Sequence, residues 1–99
     1  MATYISLITY TDQGIKNIKD SPKRLEATKK ALKELGGEVK AYYLTQGGYD
    51  GVLVFDVPNE MALTTFLLKT GAAGNVRTTS LRAFPEEEFK KHIAALSTK

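Results

Sequence analysis

Residues 47–57 read Gly47-Gly48-Tyr49-Asp50-Gly51-Val52-Leu53-Val54-Phe55-Asp56-Val57. The paired glycines are a turn signal, and Asp50–Val57 behind them is the most apolar strand of the chain. Val52 and Val54 point to one side of it; Leu53, Phe55 and Val57 point to the other. A strand that is apolar on both faces is expected to be covered on both. Upstream of the turn, residues 38–46 (EVKAYYLTQ) read as its antiparallel hairpin partner.

Working outward, residues 3–10 (TYISLITY) form a first strand rich in β-branched and aromatic types. Thr11-Asp12-Gln13-Gly14 reads as a turn, with Asp12 placed to cap one helical turn over residues 15–20. Ser21-Pro22 opens a longer helix, with Ser21 as its cap and Pro22 in the first turn. Leu25, Thr28, Leu32 and Leu35 recur at helical spacing until Gly36-Gly37 ends it. Downstream, Pro58-Asn59-Glu60 opens a second helix through Met61, Leu63, Phe66 and Leu67, which ends near Gly71–Gly74. Residues 75–84 are a fourth strand. Pro85 and the acids Glu86, Glu87 and Glu88 start a third helix, whose apolar stripe is Phe89, Ile93 and Leu96.

The order is β-α-β-β-α-β plus a short C-terminal helix. That is an α+β, ferredoxin-like antiparallel sheet with its helices on one face, in a single domain spanning residues 1–99. Two helices cover one face. The other face, also apolar, is expected to pack on a second copy, giving a homodimer or a higher even-numbered oligomer.

Composition bounds the function. The chain has 99 residues, no Cys and one His. A disulfide framework, a thiolate zinc site, a cysteine nucleophile and a multi-histidine metal centre are therefore excluded, and no cofactor or metal is expected. No apolar run approaches the length of a membrane span, and Met1-Ala2-Thr3-Tyr4 does not open a secretory signal, so a cytoplasmic location is expected. The net charge of +3 comes from residues 16–40, which carry eight Lys/Arg against four Asp/Glu. With a single Arg and no aromatic in that segment, it reads as the solvated face of a helix rather than a nucleic-acid footprint.

The set Gly48-Tyr49-Asp50, Thr11-Asp12-Gln13-Gly14, Ser21-Pro22-Lys23-Arg24, Gly74-Asn75-Val76-Arg77-Thr78 and Leu81-Arg82-Ala83-Phe84 resembles the small bacterial GYD-domain proteins from Thr3 to about Ile93. The resemblance implies a ferredoxin-like fold of the dimeric α/β-barrel type, and no specific activity. Gly48-Tyr49-Asp50 before a strand, followed by Gly74-x-Val76-x-Thr78, also looks like the effector domain of leucine-responsive transcription regulators. That likeness implies an oligomer that binds amino acids between subunits, here without a DNA-binding half.

Taken one by one, the polar residues favour structural roles. Asp50 after the Gly-Gly turn suits fixing the hairpin, and Asp56 inside the apolar strand calls for a partner such as Arg77 or Arg82. His92 suits the edge of the third helix's stripe, and Tyr4, Tyr10, Tyr42 and Tyr43 suit an interface. The functional reading is a stand-alone effector or sensor module. It binds a small anionic or zwitterionic metabolite in a cleft lined by Tyr49, Asp50, Asn75 and Arg77, closed by residues 12–18. Arg77 supplies the anion contact, because a guanidinium matches a carboxylate bidentately. Two other readings stay open: a cofactor-free enzyme of the dimeric α/β-barrel type (an oxygenase or isomerase), and a structural or interaction subunit.

Overall fold

A computed structural model describes residues 1–97. The elements are β1 (Ala2–Tyr10), α1 (Asp12–Lys16), a single 3-10 turn (Ile18–Asp20), α2 (Ser21–Glu34), β2 (Glu38–Leu44), β3 (Gly51–Val57), α3 (Glu60–Ala72), β4 (Val76–Ala83) and α4 (Glu86–Ala95). The strands form one antiparallel sheet in the order β2-β3-β1-β4. This is the β-α-β-β-α-β arrangement with one added helix. Among the described residues, no helix is long and apolar enough to cross a membrane.

Alternation along β3 sets the core. Leu53, Phe55 and Val57 are buried with Leu32 of α2 and Ala62 and Phe66 of α3, and the Phe55 and Phe66 rings meet at 5.1 Å. Fully burying each of these large side chains contributes about 1.5–3 kcal/mol. On the opposite face, the strand register aligns two apolar rows. Ala41, Val54, Ile5 and Leu81 lie side by side across the four strands, and Tyr43, Val52, Leu7 and Thr79 form the adjacent row. Ile5, Leu7, Val52 and Val54 are only partly covered and lie outside the core cluster. The sheet is thus apolar on both faces, and the helices pack on one.

Three local readings are corrected. Thr11, not Asp12, caps α1: its backbone is extended and its Oγ1 accepts from Gly14 N at 3.1 Å. Thr11–Gly14 is therefore a helix start rather than a turn. Ser21 does not cap α2. The 3-10 turn runs straight into the helix, so Ser21 already has helical dihedrals (φ −55°, ψ −42°), whereas a capping residue needs an extended backbone. Asp56 pairs with neither Arg77 nor Arg82. It stands opposite Thr3 in the β1–β3 register and accepts that hydroxyl at 2.6 Å.

Other signals hold. Asn59 caps α3, accepting from Ala62 N at 2.8 Å, and Gly36 takes φ +85° behind α2. Lys29 pairs with Glu26 at 3.3 Å on the basic exposed face of α2. Helix α4 is fastened at both ends: Glu88 in its first turn meets Arg82 at 3.5 Å, and His92 in its last turn packs edge-on against Phe84 at 4.7 Å. Its stripe faces solvent, with Phe89 55%, Ile93 50% and Leu96 80% exposed.

Candidate functional site

On the helix-covered face the packing is incomplete. The row beneath the helices runs Tyr42, Leu53, Ser6 and Ser80 across the four strands. Its two serines are small and spend their hydroxyls on each other, Oγ to Oγ 2.7 Å. Above them, α2 presents Ala27, Thr28 and Ala31, while the end of α3 presents Thr70 and Ala73. Small side chains from floor and walls leave a cavity of about 300 Å³ between the helices and the sheet. Protein interiors hold few voids larger than a water molecule. This one has room for about ten waters at ~30 Å³ each.

Its inner wall is apolar, with Ile8, Leu53 and Phe66 all buried. Tyr10, Tyr42 and Asn75 line it as well. The charged side chains in the lining are Arg24 and Lys69; no carboxylate is among them. Arg24 also serves α1, donating from Nη1 to Asn17 O at 3.0 Å and from Nη2 to Gly14 O at 3.4 Å. A cation there is favourable beside the carbonyl end of a helix.

Burial, followed by the neighbouring Tyr10 phenol, pushes the Tyr42 hydroxyl up to about 12. At neutral pH it is a hydrogen-bond donor and acceptor, not a base. Because the folded state holds this proton more tightly than an unfolded tyrosine at ~10, its contribution to stability is complete below pH ~10. It is lost as pH rises to about 12. Thermal melts from pH 9 to 12 are expected to show a steeper fall for the native protein than for Tyr42→Phe.

The 12–18 segment is not a loose loop. Thr11 Oγ1 donates to Gly74 O at 2.6 Å, and Gln13 Nε2 donates to Ala73 O at 3.1 Å and to Asn75 Oδ1 at 3.0 Å. Gly14 permits this approach: a Cβ there would stand 1.9 Å from the backbone oxygen of Asn75. Gly14→Ala is expected to push α1 off the α3–β4 connection and destabilise the fold by about 1–3 kcal/mol, read as a drop in midpoint in urea unfolding.

The structure brings one of the four expected cleft residues to the cavity. Asn75 lines it. Asp50 lies behind Tyr10, where its carboxylate accepts Tyr10 N at 2.9 Å and its own N–H donates to Ile8 O at 2.7 Å, so it ties the hairpin to β1. Tyr49 is exposed in the turn, where its carbonyl accepts the Thr45 hydroxyl at 2.6 Å. Arg77 is exposed and pairs with Thr9 in the register, on the face away from the cavity. The residues missed as site residues are Tyr10, Tyr42, Arg24 and Lys69. The shared phase of Tyr4, Ile8 and Tyr10 carried a signal for the first of these, and the Ser21-Pro22-Lys23-Arg24 motif carried one for Arg24; Lys69 looks like any exposed helical cation.

The GYD domain family profile matches residues 4–93. The chain belongs to the GYD-domain family. This GYD-domain chain is 31% identical, over 86% of its length and 90% of the relative's, to a glutamine synthetase and cystathionine beta-lyase binding protein of Thermus thermophilus. Among solved structures, it resembles the feast or famine regulatory protein of M. tuberculosis complexed with L-methionine, with 27% identity and a TM-score of 0.64 over 86% of this chain and 51% of that one. It also resembles the Mycobacterium tuberculosis leucine response regulatory protein LrpA (26%, TM-score 0.62, 85% and 51%). The GYD-domain chain spans about half the length of those regulators.

Proposed function

We propose that this GYD-domain chain is a self-associating cytoplasmic module that binds a small metabolite. The observation that carries the reading is the cavity of about 300 Å³ between helices and sheet, at the lower end of the size of small-molecule sites. The two apolar rows on the other face support pairing with a second copy, and such pairing leaves the cavity open. The regulator complexed with L-methionine supports small-molecule binding in the same type of fold. Of the four residues read from sequence as ligand contacts, Asn75 keeps that role at the cavity. Arg77, on the open face, is available to the interface between copies.

Native mass spectrometry of gently purified protein tests both halves at once. An even-numbered oligomer carrying bound small-molecule mass is the expected result; a bare monomer overturns the reading.

A second reading is a docking subunit for other proteins. It is favoured by the relative whose name records binding to two enzymes and by the exposed stripe of Phe89, Ile93 and Leu96 on α4. A dry, unliganded oligomer whose enzyme partners release it when α4 is polar-substituted would favour this alternative.

A further inference from the structure

We infer that the cavity between α2, α3 and the sheet takes a small organic acid with an apolar tail, its carboxylate held at the mouth by Arg24 and Lys69. This rests on the metabolite-binding reading above and specifies its ligand class.

Polarity is graded along the cavity. Ile8, Leu53 and Phe66 are buried at the inner wall, whereas Arg24 is half-buried and Lys69 is exposed. A tail seated inward removes apolar surface from water and leaves its head group toward the more exposed part of the lining, where Arg24 and Lys69 are found.

The charge balance of the lining selects the head group. Two cations line the cavity without an Asp or Glu among the described residues. An amine would meet two like charges. A zwitterion would satisfy its carboxylate and leave its ammonium without a charged partner. Asn75 Oδ1 is already an acceptor for Gln13. Asp50 lies outside the lining, and its carboxylate accepts Tyr10 N.

Donors are in surplus. Arg24 has five N–H groups, and two bonds go to the carbonyls of Asn17 and Gly14. Lys69 brings three more N–H donors. The Tyr42 hydroxyl, protonated across the physiological range, is engaged with the Tyr10 phenol and adds no free donor.

Size sets the length of the tail. A cavity of about 300 Å³ holds on the order of ten water-sized groups, which matches octanoate.

Titration calorimetry of the intact chain with octanoate, 1-octanol, octylamine and L-methionine tests this. Octanoate is expected to bind at least about tenfold tighter than the other three. Lys69→Met and Arg24→Met are each expected to weaken octanoate about tenfold while leaving 1-octanol unchanged. Arg24→Lys, which keeps the charge but loses the fork, is expected to fall between. If Arg24→Met loosens α1, the exposed Lys69 still decides.

Octylamine or L-methionine binding as well as octanoate would overturn the acid and leave metabolite binding standing. Equal binding of octanoate and 1-octanol, unmoved by either substitution, would overturn the role of the two cations. If none of the four binds, the ligand class falls. The broader reading is then judged by the mass spectrum, in which co-purified mass keeps it and a bare monomer removes it.

Discussion

Val54→Lys is expected to abolish the proposed self-association and to leave a monomer that melts at close to the native temperature. Val54 sits mid-row between Ala41 and Ile5 on the open face, outside the core cluster. A lysine there points into water in the single chain and disturbs little. Between two sheets it would be a buried charge without a partner, which costs several kcal/mol. The association constant should fall at least about a hundredfold, about 2.7 kcal/mol by the affinity relation. Ile5→Lys, the next position in the same row, should behave likewise, whereas Thr64→Lys, at an exposed site on α3 on the helix side of the sheet, should not. Sedimentation velocity of the three variants reads this directly. An unchanged mass for Val54→Lys would show that the copies meet elsewhere, with the stripe of α4 the next surface to substitute.

The second large effect is a gain of stability joined to a loss of binding. Ala31 faces the cavity from α2, and Leu at that position extends into open space rather than into packed atoms. Each buried methylene is worth about 0.8 kcal/mol, and crowding against the walls removes part of that gain. Ala31→Leu should stabilise the fold by about 1 kcal/mol, a rise in Tm of roughly 4–8 °C for a chain of this size. It should also weaken octanoate more than about tenfold, since the tail and the new side chain compete for one volume. A lower Tm would mean that α2 and α3 already close on the space in solution. The two experiments separate the faces of the sheet: Val54→Lys should leave octanoate binding intact, and Ala31→Leu should leave the oligomer intact.

The architecture was legible because its punctuation is local. Gly36-Gly37, Gly47-Gly48 and Pro58-Asn59 each mark a boundary where the structure has one, and the double-sided apolarity of β3 can be read along one strand. What failed was long-range or depended on continuity between elements. Asp56 finds Thr3 because β1 lies beside β3 in a particular register, and nothing near Asp56 in sequence encodes that register. Ser21 loses its capping role because the preceding turn already winds as a helix.

The site was less legible than the fold for a related reason. A cavity is built from what is small, and Ser6, Ala27, Ala31 and Ala73 come from two elements and the end of a third, each ordinary in its own segment. The conspicuous residues of the turn motifs are spent on architecture: Asp50 on Tyr10 N, and Thr11 and Gln13 on the 73–75 connection. Ser21, Arg24, Asn75, Val76 and Thr78 stand both in a motif and at the cavity. Asn75 precedes β4, whereas Arg77 lies inside it between Val76 and Thr78, which line the cavity, so strand alternation and its pairing with Thr9 send Arg77 to the opposite face.

The central claim is that the ligand enters on the helix side of the sheet while the copies meet on the other. Methyl-labelled protein with ¹³C-octanoate tests it most directly through intermolecular nuclear Overhauser effects. The account predicts contacts from the octanoate tail to the methyls of Ile8, Leu25, Leu53 and Leu67, which line the cavity. Contacts to Ile5, Leu7, Val52 and Val54 instead, on the open face, would contradict it.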